Sequence, residues 1–300
     1  MKMPATATRK RMSQKLSACC CEPVACSLGV RKVWRMRLVR ACLAVPGSSP
    51  EKLRKAAGLG VDAVVIDLED AVAAADKESA RETVARELPA HDFGAATVAI
   101  RVNARRSAWF DDDVALVAEL QPDLVVVPKV ESADDLAGLP VPAHALIETA
   151  RGLVEVERIA AAPGVEALIF GPGDFAASLG APALTIGEGD WIYPLTRIVV
   201  AAKAFGLQAV DGPFVRLGDA DGLRASAHRS RALGYDGKWA IHPEQVGPLQ
   251  EVFSSTDAEV ERAERILEAA RAGAARHEGE MVDEATVRMA EAVLARRRAV

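Results

Sequence analysis

The sequence predicts a (β/α)8 barrel, and three observations carry that prediction. Eight short apolar runs recur along the chain, helix-like stretches separate them, and each run closes on polar or turn-forming residues. The runs are continuous rather than alternating, as in parallel strands that are buried on both faces. A doubly wound open sheet alternates in a similar way, but the count of eight and the lack of a strand-GxGxxG-helix signature argue against it.

The predicted elements follow in chain order. The apolar runs, rich in Val, Ile, Leu and Ala, cover residues 41–45, 63–68, 97–102, 124–127, 143–147, 167–170, 207–210 and 238–241. Helical patterns between them are clear at 77–88 and 193–205. The strands end on PGSS, DLED, RVN, PKVE, ETARG, GPGD, DGP and HPEQ. Because barrel active sites lie at the carboxyl ends of the strands, one face collects Asp67, Glu69, Asp70, Arg101, Asn103, Lys129, Glu131, Glu148, Arg151, Asp174, Asp211 and His242.

Two of these strand-end carboxylates suggest a metal site. Glu148 stands in HALIETARG and Asp174 in ALIFGPGDFAASLG, after neighbouring strands. Magnesium binds one or two carboxylates and completes its octahedron with water and substrate oxygens, so the pair predicts half of an open catalytic Mg²⁺ site. The alternative is that each carboxylate only caps the helix that follows.

Composition narrows the class of protein. The 300 residues are 50% hydrophobic and 26% charged, enough for one barrel and a tail. We expect no membrane partner, since no run of about twenty apolar residues occurs. The net charge of -5 gives no support for nucleic-acid binding. Cys42, the only cysteine predicted in the barrel, fits a small core residue in a reducing, cytoplasmic compartment.

Three regions are expected: a leader at 1–35, the catalytic barrel at 36–256, and a helical lid or oligomerisation segment at 257–300. The leader is basic and holds the other four cysteines, Cys19, Cys20, Cys21 and Cys26, in a spacing that does not match a zinc site. We interpret it as disordered or as the product of a mis-set start. The tail shows helical patterns at 258–276 and 284–298, and Asp283 lies between them. Asp283 is either a residue brought to a barrel mouth or the N-cap of the last helix.

Seven segments in this order resemble a known family: VVIDLEDAV, RVN, VVPKVES, LIETARG, IFGPGDFAASLG, AVDGPF and GYDGKWAIHPEQV. They are similar to the citrate lyase β-subunit and malyl-CoA lyase family of CoA-ester lyases, within the HpcH/HpaI aldolase superfamily. The resemblance implies a Mg²⁺-dependent barrel enzyme, a carbon–carbon lyase that joins or separates an acyl-CoA and a 2-oxo acid. It also implies a homo-oligomer, a trimer or hexamer.

The resemblance assigns roles to individual positions. Glu148 and Asp174 match the Mg²⁺ ligands, and Arg101 matches the arginine that contacts substrate oxygens and serves catalysis. Asp283 matches an aspartate that some members offer from a neighbouring subunit as acid or base. The remaining matches are Glu69 and Asp70, as acids that orient the arginine, the metal waters and the substrate, and Gly173, where the backbone approaches the 2-oxo acid.

Alternatives stay open at this point. His242 could replace Asp283 as the base, although a His-Pro turn at a strand end is more typical of a structural histidine. The enzyme could be an aldolase acting on free 2-oxo acids, or a citryl-CoA lyase subunit working within a multi-subunit complex. A CoA ester needs a basic groove for its phosphates, and Arg37, Arg40 and Lys52 are the candidates near the first strand.

Overall fold

A computed structural model describes residues 38–181, 191–273, 276–277 and 279–298, and it confirms the predicted barrel. Eight parallel strands close in sequential order, β1 to β8, with β1 paired to both β2 and β8. The leader with Cys19, Cys20, Cys21 and Cys26, together with Arg37, lies outside the described residues.

Strand bounds lie within one or two residues of those predicted. The strands are β1 Ala41–Pro46, β2 Ala63–Asp67, β3 Thr97–Arg101, β4 Leu124–Val127, β5 Ala143–Ile147, β6 Val165–Phe170, β7 Gln208–Asp211 and β8 Gly237–Ala240. The helices are α1 Pro50–Ala57, α2 Lys77–Glu87, α3 Phe110–Leu120, α4 Ala150–Val154, α5 Val156–Ala160, α6 Pro172–Ser178, α7 Ile192–Ala204, α8 Ala220–Leu233, α9 Val246–Phe253, α10 Asp257–Arg271 and α11 Glu284–Arg298. A short hairpin pairs β9 Arg276–His277 with β10 Glu280–Met281.

Alternate residues of each strand enter two different cores. One set packs inside the barrel and includes Cys42, Val65 and Leu146. The other set, which includes Leu43 and Val64, packs against the surrounding helices. Every residue of β2, β4 and β5 is buried, which explains why the apolar runs are continuous. The same alternation along β5 turns Glu148, two residues after Leu146, toward the barrel axis at the mouth.

One connection and one tail helix differ from the predicted pattern. Residues 128–142, which join β4 to β5, contain a single 3-10 turn at Ala133–Leu136 in place of an α-helix. Gly138, Pro140 and Pro142 follow that turn at once and prevent a longer helix. The first tail helix, predicted to reach residue 276, ends at Arg271, shortly before Gly273 adopts a positive φ.

The end of the tail contacts its own barrel on the side opposite the mouth. Helices α10 and α11 pack against each other, and the Ser255 hydroxyl donates to the Val293 carbonyl at 3.0 Å. Near the end of α11, Arg296 lies 3.2 Å from Asp236, which directly precedes β8. Among the described residues, no helix is long and apolar enough to cross a membrane.

Candidate active site

A cavity of ≈ 420 Å³ opens at the carboxyl ends of the strands, where the sequence placed the site. Its wall brings together residues from the ends of β1, β2, β3, β5, β6 and β8 and from the loops that follow. Most of the predicted site residues line it: Asp70, Arg101, Glu148, Gly173 and Asp174. Glu69 lies just behind this wall, in contact with Arg101.

Glu148 is held rigidly at the floor of the cavity. Its side chain is buried, and Oε1 accepts the backbone N–H of Lys129 at 2.7 Å. Gly171 makes this position possible, since a Cβ there would stand 2.4 Å from Glu148 Oε2. Burial, then the nearby charges of Glu69 and Asp174, raises the pKa of Glu148 to about 8. A cation bound beside Glu148 would stabilise the ionised carboxylate, which burial and the neighbouring negative charges disfavour.

Asp174 lies in the first turn of α6 and is more exposed than Glu148, with 40% of its side chain accessible. Its Oδ1 is 3.7 Å from Lys129 Nζ. The helical turn that carries Asp174 is held by close packing of Pro172 on Gly212. A Cβ at that glycine would lie 2.3 Å from Pro172 Cδ. Both predicted metal ligands therefore line one cavity on well-packed elements.

The donor set fits Mg²⁺. Four carboxylates line the cavity: Asp67, which is paired with Arg101, Asp70, and the two predicted ligands Glu148 and Asp174. Glu148 uses only one of its oxygens in the hydrogen bond to Lys129. Within the described residues no cluster of three or more His, Cys, Asp or Glu side chains forms a complete metal cage. Magnesium is commonly held by one or two carboxylates, with water and substrate oxygens at the remaining positions.

Arg101 is the fixed cation of the mouth. Its Nε and Nη2 donate to the two oxygens of Asp67 at 2.7 and 2.5 Å, a bidentate pair. Its Nη1 lies 2.8 Å from Glu69 Oε2. The ring of Trp239 covers the guanidinium, with the centroid 5.3 Å from Cζ. Burial acts to lower the pKa of Arg101, but Asp67 and the neighbouring carboxylates outweigh it and raise that pKa, so Arg101 stays charged.

Asp67 organises the loop after β2 as well as the arginine. Its two oxygens also accept the backbone N–H groups of Glu69 at 2.8 Å and Ala71 at 3.0 Å. Lys77 supports the same loop from below, since its Nζ donates to the carbonyls of Leu68 and Glu69, both at 2.7 Å. Sequence reasoning placed Asp67 at the mouth but gave it no role, because its partner is 34 residues away.

Glu69 and Asp70 lie on that loop in different environments. Glu69 is buried between Arg101 and Lys129, and burial raises its pKa although both cations oppose the effect. Asp70 is largely exposed, 3.7 Å from Arg101 Nη1 and 3.9 Å from Lys129 Nζ. Both acids therefore lie beside the arginine that they are expected to orient.

Lys129 lies at the centre of the acidic side chains. Its ammonium forms an ion pair and a hydrogen bond with Glu69, close to Asp70 and Asp174. Its backbone has φ 52°, a left-handed conformation that costs a residue other than glycine about 1–2 kcal/mol. Burial acts to lower its pKa, but the bond to Glu69 and the surrounding carboxylates outweigh this and raise it. Sequence reasoning listed Lys129 at the mouth without a role.

The two candidate bases lie elsewhere. Asp283 is the N-cap of α11: its Oδ1 accepts from the Thr286 backbone and hydroxyl, both at 2.8 Å, and these bonds lower its pKa. It is exposed. His242 caps the 3-10 turn after β8, accepting the Glu244 N–H at 3.4 Å, as expected of a structural histidine.

One candidate for the CoA groove was wrong. Arg40 pairs with Asp62 at 2.6 Å near the amino-terminal end of β1, on the side of the barrel away from the cavity. Lys52, in contrast, lines the cavity.

Comparison with known proteins agrees with this geometry. Residues 40–243 match the family model described as HpcH/HpaI aldolase/citrate lyase. A (3S)-malyl-CoA thioesterase from Cereibacter sphaeroides (strain ATCC 17025 / ATH 2.4.3) is 39% identical over 241 residues, covering 77% of this chain and 82% of that protein. An L-malyl-CoA/beta-methylmalyl-CoA lyase from the same strain is 36% identical over 290 residues, covering 83% and 91%.

The fold is also that of solved structures. The CitE protein of Mycobacterium tuberculosis, crystallised with magnesium, acetoacetate and coenzyme A, superposes with a TM-score of 0.77 at 32% identity, covering 86% of this chain and 97% of that one. Sequence motifs, barrel and mouth thus lead to one conclusion: the chain belongs to the HpcH/HpaI aldolase/citrate lyase family.

Proposed function

We propose that the chain is a Mg²⁺-dependent CoA-ester lyase that cleaves or forms the carbon–carbon bond of a 3-hydroxyacyl-CoA. The products of cleavage are an acyl-CoA, such as acetyl- or propionyl-CoA, and a 2-oxo acid, which is glyoxylate, pyruvate or oxaloacetate. The observation that carries the proposal is the convergence of Glu148, Asp174 and Arg101 on one cavity. The relatives named as malyl-CoA lyases support it.

The reaction places two demands on the site. The bond between C2 and C3 of the acyl chain breaks, and its electron pair moves onto the thioester as an enolate. The hydroxyl oxygen on C3 loses its proton and becomes the carbonyl of the 2-oxo acid, while the enolate takes a proton at carbon. Negative charge therefore develops on oxygen, and a proton must be moved.

The residues of the cavity meet the first demand. Glu148 and Asp174 would hold Mg²⁺, which when bound polarises the hydroxyl and carboxylate oxygens of the substrate. Arg101 stabilises developing negative oxygen. Because Asp67 and Trp239 already hold its guanidinium in place, little reorganisation is needed during the reaction.

We infer that Asp283 of a neighbouring subunit meets the second demand. Two features support this: Asp283 is exposed, and the far end of its helix is tied to the amino-terminal side of its own barrel through Arg296. Insertion into a neighbour's mouth would remove water and raise its basicity. The protein would then be a homo-oligomer with sites shared between subunits, a trimer or hexamer.

A second candidate function is hydrolysis of the thioester of malyl-CoA, favoured by the 39% identity to a (3S)-malyl-CoA thioesterase. An aldolase acting on free 2-oxo acids is less well supported, because Lys52 gives the cavity wall a cation suited to a CoA phosphate.

One assay separates these functions. Purified protein is incubated with Mg²⁺ and malyl-, methylmalyl-, citramalyl- or citryl-CoA, and the 2-oxo acid and free CoA thiol are both measured. A lyase releases 2-oxo acid without free thiol, and a thioesterase releases free thiol without 2-oxo acid. Failure to cleave any of the four esters, with cleavage of free 2-oxo acid aldols instead, would overturn the proposal. The Glu148→Gln protein is the matched control.

A further inference from the structure

The mouth of the barrel holds more carboxylates than an open magnesium site needs. Glu69, Asp70, Glu148 and Asp174 all lie close to the ammonium of Lys129 or accept its backbone N–H. Three or four carboxylates bound to one Mg²⁺ ion would occupy at least half of its six octahedral positions and leave fewer for substrate oxygens. An open metal site therefore requires that some of these carboxylates be held away from the cation.

Lys129 contacts the surplus carboxylate and both metal ligands. Its side chain holds Glu69 Oε1, its Nζ lies 3.7 Å from Asp174 Oδ1, and its N–H donates to Glu148 Oε1 at 2.7 Å. The other cation beside Glu69 is Arg101, whose Nη1 lies 2.8 Å from Oε2 as an ion pair. Within the described residues that oxygen accepts no hydrogen bond. Lys129 is therefore the hydrogen-bonding partner of the Glu69 side chain.

The backbone conformation of Lys129 supports a functional constraint. Its positive φ of 52° is one of two among the non-glycine residues that the structure describes. Strained backbone of this kind persists where surrounding contacts impose it, and it is concentrated at active sites. Here the strained residue directs its N–H to one metal ligand while its side chain reaches Glu69 and approaches the other ligand.

We propose that Lys129 is a positioning residue that limits the metal site to two carboxylate ligands. It withholds Glu69 from the cation by pairing with it, and its own charge weakens cation binding at the adjacent ligands. The site is thereby kept open for substrate oxygens. This inference rests on the proposed function, since it uses Glu148 and Asp174 as the metal pair.

The test is the affinity of the protein for Mg²⁺ itself, measured by calorimetric titration without substrate at pH 9. Lys129→Met removes the charge and the hydrogen bond that holds Glu69 Oε1, while Arg101 still lies beside Oε2. The dissociation constant should therefore fall by about tenfold or more, because a unit charge a few ångströms away is removed. In turnover assays the same variant should lose kcat, since substrate oxygens meet a more crowded cation. Lys129→Arg keeps the charge and should keep both values near those of the wild type.

A double variant separates this mechanism from a general loss of structure. In Lys129→Met with Glu69→Gln, the carboxylate released by Lys129 is replaced by a neutral amide, and Mg²⁺ affinity should return toward the wild-type value. Equal or weaker binding of Mg²⁺ by Lys129→Met, in protein with an unchanged thermal midpoint, overturns the inference. If Lys129→Met does not fold, Lys129→Gln replaces it in the same titration. Failure of the wild type itself to bind Mg²⁺ would instead overturn the metal pair of the proposed function.

Discussion

Magnesium affinity should depend steeply on pH because of Glu148. The pKa of this carboxyl in the metal-free protein is raised to about 8, chiefly by burial. A protonated carboxyl cannot ligate a cation, so Mg²⁺ must displace the proton. The apparent dissociation constant is therefore the intrinsic one multiplied by a factor that grows tenfold per pH unit below the pKa.

The size of the effect follows from that value. At pH 9 Glu148 is largely ionised and the factor is about 1, whereas at pH 7 it is about 10 and at pH 6 about 100. At pH 7 binding should release about 0.9 proton per site, since that fraction of Glu148 carries a proton before the metal binds. Raising the pH thus strengthens binding until the pKa is passed.

Calorimetric titrations of Mg²⁺ at pH 6, 7, 8 and 9, each in two buffers of different ionisation enthalpy, give both the affinity and the protons released. Asp174→Asn, which keeps Glu148, should bind Mg²⁺ more weakly but retain the pH slope. Glu148→Gln should bind weakly with little slope. An affinity that stays constant from pH 6 to 8 in the wild type, with no proton release, would refute the assignment of Glu148 as a buried ligand.

Three further outcomes are expected. Mixing inactive Asp283→Asn with inactive Glu148→Gln subunits should restore activity at about a quarter of the sites. In random assembly each of two adjoining chains is the required variant with odds of about one half. Mixtures as inactive as either variant would exclude a shared site. Arg101→Lys should lower kcat by about 10²–10³-fold with Mg²⁺ affinity nearly unchanged, because a lysine ammonium cannot form the bidentate pair that Arg101 makes with Asp67. A kcat within threefold of the wild type would contradict this prediction. Burial lowers the pKa of His144 to about 4, so the folded protein excludes a proton that the unfolded chain takes up below pH 6.5. Relative to His144→Gln, the wild type should therefore lose about 3 kcal/mol of unfolding free energy between pH 6.5 and 4, measured by urea denaturation, and parallel curves would contradict it.

Much of the barrel could be read from local patterns. The apolar run at 63–68 predicted β2 because a strand buried on both faces needs apolar residues at every position, and Ala63–Asp67 is such a strand. The missing helix between β4 and β5 was less visible. There the pattern ADDLAG begins like a helix, and the prolines that follow stop it after one turn.

The site divides along a similar line. Glu148, Asp174 and Arg101 were predicted as mouth residues because strand ends of a parallel barrel must meet at one face, whatever the details of packing. Arg40 was misplaced because proximity to the first strand in sequence does not say at which end of the strand a side chain lies. The pairing of Arg40 with Asp62 settles that question.

The sequence by itself determined the barrel, the face that carries the chemistry and the residue types available there, because hydrophobic periodicity and strand-end position are local properties of the chain. Only the tertiary structure decided which of those residues touch. The bidentate pair of Asp67 with Arg101 joins residues 34 positions apart, and the hydrogen bond of Lys129 to Glu69 joins residues 60 positions apart. The contact of the Trp239 ring with Arg101 joins residues 138 positions apart. Such contacts depend on strand register and barrel closure, so they cannot be predicted from the residues of any one segment.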